Sequence, residues 1–535
     1  MCPLLLRIGN LNLPLSYTDD TLREAVLRKL RIPAGRLKGV TLVKRSIDAR
    51  DKGDVHFVLT VDVLVDREDE LLRQLKNGVA AKAAPKRTLP LPKAAFARRP
   101  VVVGAGPAGL FAGLMLAKAG AAPILIERGK PVDERTQDVD AMRKDGTLDP
   151  DSNVQFGEGG AGAFSDGKLT TGIKSPWQQL VLETFVRHGA PEEILYEQKP
   201  HIGTDRLKGV VASIRKEIIS LGGEVRFQTK LTGLIIRGEH IEGVTVSCNG
   251  QEEELLTDTV LLAIGHSARD TIQALFNQGV VMVQKPFAMG VRIEHPQSLI
   301  NKSQYGRFAD HKALGAAPYK LAVRTPDGRG AYTFCMCPGG EVIPAASQPG
   351  GVVVNGMSYH ARDGRNANAA LLVGVQPEDF GDDHPLAGFV WQRSIEQAAF
   401  RAGGGDFRAP VQRVEDLLAG RATSRLGDVQ PTYLPGVTPA DLRACLPAFI
   451  IEDLKLGIRQ MDKQLRGFAL PDAVLTGVET RSSSPVRLPR DQTMMASISG
   501  LFPVGEGAGY AGGIVSAAVD GVNAAVAALE RGDSL

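Results

Sequence analysis

The chain has 535 residues, of which 43% are hydrophobic and 23% charged, with 63 Lys and Arg set against 60 Asp and Glu. This ordinary globular composition and a net charge of +3 exclude a disordered tail protein, a collagen and a uniformly basic nucleic-acid coat. Five scattered cysteines exclude a disulfide scaffold and predict a reducing, cytoplasmic setting.

The charge is uneven. Residues 1–100 hold 20 basic and 11 acidic side chains, so a basic N-terminal module precedes a mildly acidic body. Met1–Asn10, with one arginine and a short apolar run, does not read as a secretory signal. Leu4–Ile8 suits a strand. Thr21-x-x-Glu24 reads as a capping box opening a helix that carries Leu22, Val26 and Leu30 on one stripe. Every odd position from Val55 to Val65 is apolar, the period of a strand with one buried face. A second helix is predicted around Glu68–Asn77, and residues 78–99 read as a linker. The β-α-β-β-α order predicts a small ferredoxin-like α+β domain within residues 1–95. Its excess charge is either a solvated surface or a site for RNA, an acidic partner or an anionic substrate. No interleaving of aromatic and basic residues singles out RNA.

Pro100–Ala117 is uncharged for eighteen residues, the lower limit for a membrane span. It reads better as strand, turn and helix, so no membrane is expected. Val101–Val103 is followed at once by Gly104-Ala105-Gly106-Pro107-Ala108-Gly109, then Gly113, an apolar helix, and a second strand Pro123–Ile126 ending in Glu127 and Arg128. That is a dinucleotide-binding fingerprint in its full context. Gly104 permits the tight turn, Gly106 lets the backbone approach a pyrophosphate, and Gly109 and Gly113 let helix and strand pack closely. The helix N-terminus offers free N–H groups to phosphate. An acid at Glu127 suits ribose hydroxyls and so favours FAD or NAD over NADP.

Three later segments favour FAD. Asn153–Lys168 is a glycine-dense loop, containing Gly159, Gly160 and Gly162, built for backbone contact with a pyrophosphate or flavin ring. An amphipathic helix over Asp205–Ser220 and a short β-meander lead to Thr257–Gly265, an apolar strand closing in Ala-x-Gly. Near the C-terminus, Gly505-Glu506-Gly507-Ala508-Gly509 precedes Gly512-Gly513, Ile514 and an Ala-rich helix. A helix starting there would aim its positive end at a flavin.

Taken with Ser46–Arg50, Gln155–Gly160, Gly265–Asp270, Gly290–Pro296, Cys335–Gly340 and Thr480–Pro485, these motifs resemble the bacterial uncharacterised FAD-dependent dehydrogenases. That group lies within the glutathione-reductase-like FAD superfamily, and the resemblance spans essentially the whole chain. It implies an α/β fold: a Rossmann-like FAD-binding domain with an inserted mixed α+β substrate domain, preceded by the ferredoxin-like domain. The expected divisions are 1–95, 96–280, 281–470 and 471–535, the second and last together binding FAD. The resemblance implies that Glu506, usually Asp in the family, meets the ribityl chain or nearby phosphate contacts.

No second fingerprint with strand, helix and acid occurs, so a nicotinamide donor would bind transiently across the flavin. Candidate chemistry outside the fingerprints is sparse. His266 follows the Ala-x-Gly strand and suits phosphate orientation, proton transfer or simple capping. Cys335 and Cys337 share one side of a strand and are either a redox pair or structural thiols, since C-x-C lacks the C-x-x-C helix geometry. Glu158 is a flavin-side acid or base, or a loop-stabilising carboxylate. Arg481 and Arg487 bracket a Ser-rich loop and suit an anionic substrate or ion pairing. His295 before Pro296 reads as structural, and no metal motif is present. The expected activity is hydride transfer through flavin N5. The alternatives are an FAD-dependent RNA-modifying enzyme that grips RNA through residues 1–95, and a non-catalytic flavin-binding module.

Overall fold

The computed structural model describes residues 5–75, 78–83 and 90–532. In the N-terminal region four antiparallel strands lie in the order Leu37–Asp48, His56–Val65, Leu6–Leu13 and Ala81–Lys82. Helices Asp19–Leu30 and Glu68–Gln74 complete a β-α-β-β-α-β unit. The odd positions from Val55 to Val65 are all buried, as their alternation requires. The first helix begins earlier than its sequence signal suggested. Thr18, in extended backbone, is the N-cap: its hydroxyl accepts from the Thr21 amide while the Thr21 hydroxyl accepts from the Thr18 amide. Ala81–Lys82 are strand rather than linker. Leu4 and Asn77, each in an expected element, and residues 84–89 of the expected linker lie outside the described residues.

The nucleotide-binding region is a parallel sheet ordered Leu501–Pro503, Val260–Leu262, Val101–Val103, Ile124–Ile126 and Glu224–Arg226. Val101, Val260 and Leu501 are in register, so three strands distant in sequence end at one edge. Helix Pro107–Lys118 packs against helix Ile514–Gly532 at Gly521, where any side chain would strike the Ala108 carbonyl. The eighteen uncharged residues thus divide into strand, turn and the start of a twelve-residue helix. Among the described residues no helix is long and apolar enough to cross a membrane. The meander Thr229–Arg237, His240–Cys248 and Gln251–Leu256 leads into Val260–Leu262.

The inserted region is a seven-stranded sheet, ordered Ala322–Arg324, Gly330–Cys337, Asn366–Val375, Phe287–Pro296, Val474–Glu479, Ala409–Arg413 and Val437–Pro439. Val474–Glu479 is wholly buried within it, so this sheet runs past the expected boundary at residue 470. Chain entry and exit are tied together where Val283–Gln284 pairs with Val486–Arg487.

The N-terminal region docks on the body through its hairpin. Arg45 exchanges backbone hydrogen bonds with Tyr196 and Gln198, and its side chain pairs with Glu197 at 2.5 Å. Lys52 and Arg307 tie the hairpin tip to the segment 304–307.

Candidate functional site

A cavity of about 670 Å³ opens at the carboxyl ends of the parallel strands and runs under the inserted sheet. Gly104, Gly106, Pro107, Ala108, Glu127, Arg128, Gly160, Gly162, Gly265, Gly505, Glu506, Gly512, Gly513 and Ile514 all line it. The aligned strand ends and the glycine-dense loop bring these residues together from five stretches of sequence.

At its waist the backbone is bare. A Cβ on Gly106 would meet only the Cα of Gly160, at 3.8 Å, and otherwise project into space. Gly104 has φ +100°, and a side chain there would strike the Ala263 carbonyl. The helix beginning at Pro107 presents its first turn to the waist, where amides lack intrahelical acceptors. The helix beginning at Ile514 reaches the same cavity beyond Gly512 and Gly513. An elongated dinucleotide with its pyrophosphate at Gly106–Gly160 fits this shape.

Two glycines do other work. Any side chain at Gly109 would collide with the Gly104 carbonyl, so Gly109 serves helix–strand contact. The Gly159 amide donates to the Ala105 carbonyl at 2.8 Å. Neither lines the cavity.

Glu127 is buried, and its carboxylate accepts from the amides of Ala105, Gly129 and Gly157 at 2.7, 2.9 and 2.9 Å. Three backbone donors make it first a brace between the fingerprint turn and the glycine-dense loop. Since Oε2 carries only one of the three, it keeps acceptor capacity at the cavity wall. Arg128 pairs with Asp151 and Asp270, both at 2.7 Å, and stacks 4.2 Å over Phe156, a flat platform at the far end.

The glycine-dense loop is organised by Arg135, which sequence reasoning missed. Its guanidinium is fully buried and donates to the carbonyls of Asn153, Val154, Gly157 and Glu158 at 2.6–3.3 Å. Burial pulls its pKa down to about 10, with Glu127, Glu158 and Asp138 supporting the charge, so it stays cationic at neutral pH. Replacing Arg135 with Met would orphan four buried acceptors. The expected cost is about 3–5 kcal/mol, with at least tenfold weaker cofactor retention in a fluorescence titration.

Glu158 is not a flavin-side acid. It is completely buried away from the cavity, accepting from the Val132 amide at 2.9 Å and pairing with Arg215 at 3.0 Å. Arg487 is also misplaced by the sequence reading: it is exposed, lies over the Tyr510 ring, and does not reach the cavity. His295 is buried against Phe468, its Nε2–H donating to the Phe468 carbonyl at 2.8 Å, as a structural residue would.

Arg481 does line the cavity, but its charge is committed. Arg269 and Arg481 both grip Glu396 bidentately at 2.8–3.0 Å, and all three are buried. Beside them sits His266, its Nδ1 3.1 Å from the Ser267 hydroxyl. Burial, aided by Arg481 and Arg269, pushes its pKa down to about 3. The imidazole is therefore held in its neutral form, and it lines the cavity beside Arg481. Glu506 differs: burial pushes it up to about 7 against the pull of Lys285, so it holds a proton near neutrality.

At the end under the inserted sheet, Cys335 lines the cavity and Cys337 lies wholly buried behind it. Lys168, Lys199, Lys320 and Arg362 stand around this end, with Arg362 paired to Asp166 at 2.6 Å. Gln198–Pro200 form part of the wall, next to the residues that Arg45 clamps. A run of isolated lysines in loops gave no periodic signal that would have found this rim.

Of the comparisons with known proteins, the family match speaks to the cofactor. Residues 286–482 match the family described as FAD-dependent protein, C-terminal domain-like, and residues 6–64 match a domain family of unknown function. An uncharacterised protein of Clostridium beijerinckii is 48% identical over 532 residues, covering 99% of each chain. Among solved structures, glycerol-3-phosphate dehydrogenase from Bacillus halodurans, complexed with FAD, is 12% identical with a TM-score of 0.37, covering 82% of this chain and 65% of that one. A flavoprotein/dehydrogenase from Cytophaga hutchinsonii is 11% identical with a TM-score of 0.34, covering 81% and 78%. Likenesses of that size carry no argument about the reaction.

Proposed function

The chain belongs to a family of FAD-dependent proteins, and we propose on that premise that it is an oxidoreductase of the dehydrogenase or reductase type, acting on a small molecule. Its FAD domain is read as glutathione-reductase-like. FAD supplies hydride acceptance and donation at N5 when bound. The carrying observation is that one cavity joins a glycine-lined waist, suited to the pyrophosphate, to a second end walled by Cys335, Glu506 and basic side chains. In this reading Gly104, Gly106 and Gly160 admit the pyrophosphate, and Phe156 with Arg128 supports the adenosine end. Glu506, able to exchange a proton near pH 7, serves a substrate oxygen or nitrogen at the other. The neutral His266 orients by hydrogen bonding. Lys168, Lys199 and Lys320 favour an anionic substrate over a neutral one.

Anaerobic mixing with NADH, NADPH and a panel of organic acids tests the reading at the flavin absorbance band. Rapid bleaching by one donor, and recovery with one acceptor, is the expected result. A flavin that no donor and no metabolite reduces would favour a purely binding role.

The RNA-modifying alternative has less support. Arg7, Lys38 and Arg50 of the N-terminal region are paired with Asp62, Asp66 and Asp48, and Arg45 is spent on Glu197. Salt-sensitive RNA binding by the full chain would revive it.

A further inference from the structure

The strand Gly330–Cys337 is regular up to Phe334, which faces Ala370, and resumes at Cys337, which faces Asn368. Three steps on one strand match two on the other, a bulge in which Cys335 takes φ +41°. A non-glycine residue in that region is uncommon and concentrates at functional sites. The kink gives Cys335 a place on the cavity wall and turns its carbonyl inward. That carbonyl accepts from Arg292 Nη1 at 3.0 Å and from the Cys337 thiol at 3.2 Å. Both thiols are free. Residues two apart in an extended strand are separated by about 7 Å at Cα, the upper limit for a disulfide.

The surroundings are charged on both sides. Lys168 and the fully buried Arg292 are the cations, and the carboxyl groups are those of Asp166, Glu479 and Glu506. Arg292 is held by Glu479 and stands 3.8 Å from the Cys337 sulfur. The neighbouring Cys337, with help from Lys168 and Arg292, holds the Cys335 thiol below the ordinary range against burial. The neighbouring Cys335, with burial, holds the Cys337 proton in place, and that proton points to the Cys335 carbonyl. One sulfur thus belongs to a half-buried residue on the cavity wall and the other is a sheltered thiol, the asymmetry that exchange requires. The C-x-C spacing lacks a helix end, and here the bulge and the two cations stand in for it.

We propose that Cys335 and Cys337 are a redox-active dithiol that exchanges an electron pair with the flavin. The proposal rests on the reading that the cavity holds FAD. In the oxidative direction the Cys337 S–H bond breaks and one S–S bond forms between Cys337 and the Cys335 thiolate. The electron pair and the Cys337 proton pass to the oxidised flavin, leaving it reduced and singly protonated, so charge and atoms balance. The reverse step opens the disulfide.

The FAD-loaded full chain provides the test. After diamide treatment and removal of the reagent, acid unfolding in iodoacetamide and peptide mapping should return the 335–337 peptide cross-linked and unalkylated. An anaerobic dithionite titration of the same sample should consume four electrons per FAD, whereas Cys335→Ser and Cys337→Ser should each consume two. Alkylation of both cysteines in the treated protein would overturn the proposal. So would a cross-linked pair whose titration stops at two electrons. Purification without any FAD, and failure to bind it, would instead sink the cofactor reading, and the peptide map would still report whether the thiols pair.

Discussion

Replacing Gly106 with Val should leave the protein folded and colourless. A Cβ at this position meets nothing nearer than the Gly160 Cα at 3.8 Å, and Gly106 has φ −72°, which any L residue adopts. The added branches therefore project into the waist of the cavity, where the pyrophosphate would lie. Gly109→Ala should behave in the opposite way. Its single methyl group would be driven into the Gly104 carbonyl, a backbone atom that cannot move without disturbing the strand end. The expected cost is about 3 kcal/mol of overpacking, seen as a lower denaturation midpoint, with FAD lost only as the fold is lost. Flavin absorbance after gel filtration, paired with circular dichroism and denaturant melts of the apo-proteins, separates the two. A yellow Gly106→Val protein would show that the cofactor does not pass between Gly106 and Gly160.

The contrast marks what a sequence can and cannot disclose. The fingerprint announced itself because each part has a local cause: three valines for a buried strand, glycines where a turn and a helix crowd it, an acid at the end of the next strand. The N-terminal alternation from Val55 to Val65 was legible for the same reason. Glu127 lines the cavity, but its three backbone donors are Ala105 in the fingerprint turn, Gly129 beside it and Gly157 in the glycine-dense loop, and no spacing rule encodes them. Arg135 was invisible because an arginine on a polar-looking helix normally faces water, whereas here four carbonyls of an irregular loop replace that water. Glu158 and Arg487 went wrong in the other direction. Both sit close in sequence to residues that line the cavity, and the local chain direction turns their side chains away from it. The boundary expected at residue 470 failed because the strand Val474–Glu479 pairs with Phe287–Pro296 nearly two hundred residues earlier, a contact no local signal announces.

Glu396→Gln should cost the folded protein about 3–5 kcal/mol at neutral pH. Glu396 lies on the helix Ala387–Gly403 of the inserted region, Arg269 opens a helix of the nucleotide-binding region, and Arg481 follows the last strand of the inserted sheet. One carboxylate therefore joins elements of both regions, and it also accepts from the Thr480 hydroxyl at 2.8 Å. Removing its charge leaves two buried guanidinium groups facing each other, and breaking a buried pair by removing one partner costs about 3–5 kcal/mol. Burial works against the Glu396 charge, but Arg269 and Arg481 outweigh it and hold the carboxyl well below the usual range. A depressed folded-state pKa fixes the sign of the pH dependence. The contribution is fully present above the ordinary Glu value of about 4.3 and is lost as pH falls toward the folded value. The gap in denaturation midpoint between wild type and Glu396→Gln should thus be wide at pH 7 and narrow steadily below about pH 4. Because Arg481 and His266 line the cavity, the variant should also release FAD at a lower temperature than wild type. A gap that stays constant from pH 7 to pH 3 would mean that the carboxylate charge does not hold the two regions together, and that hydrogen bonds, which glutamine can partly replace, carry the joint.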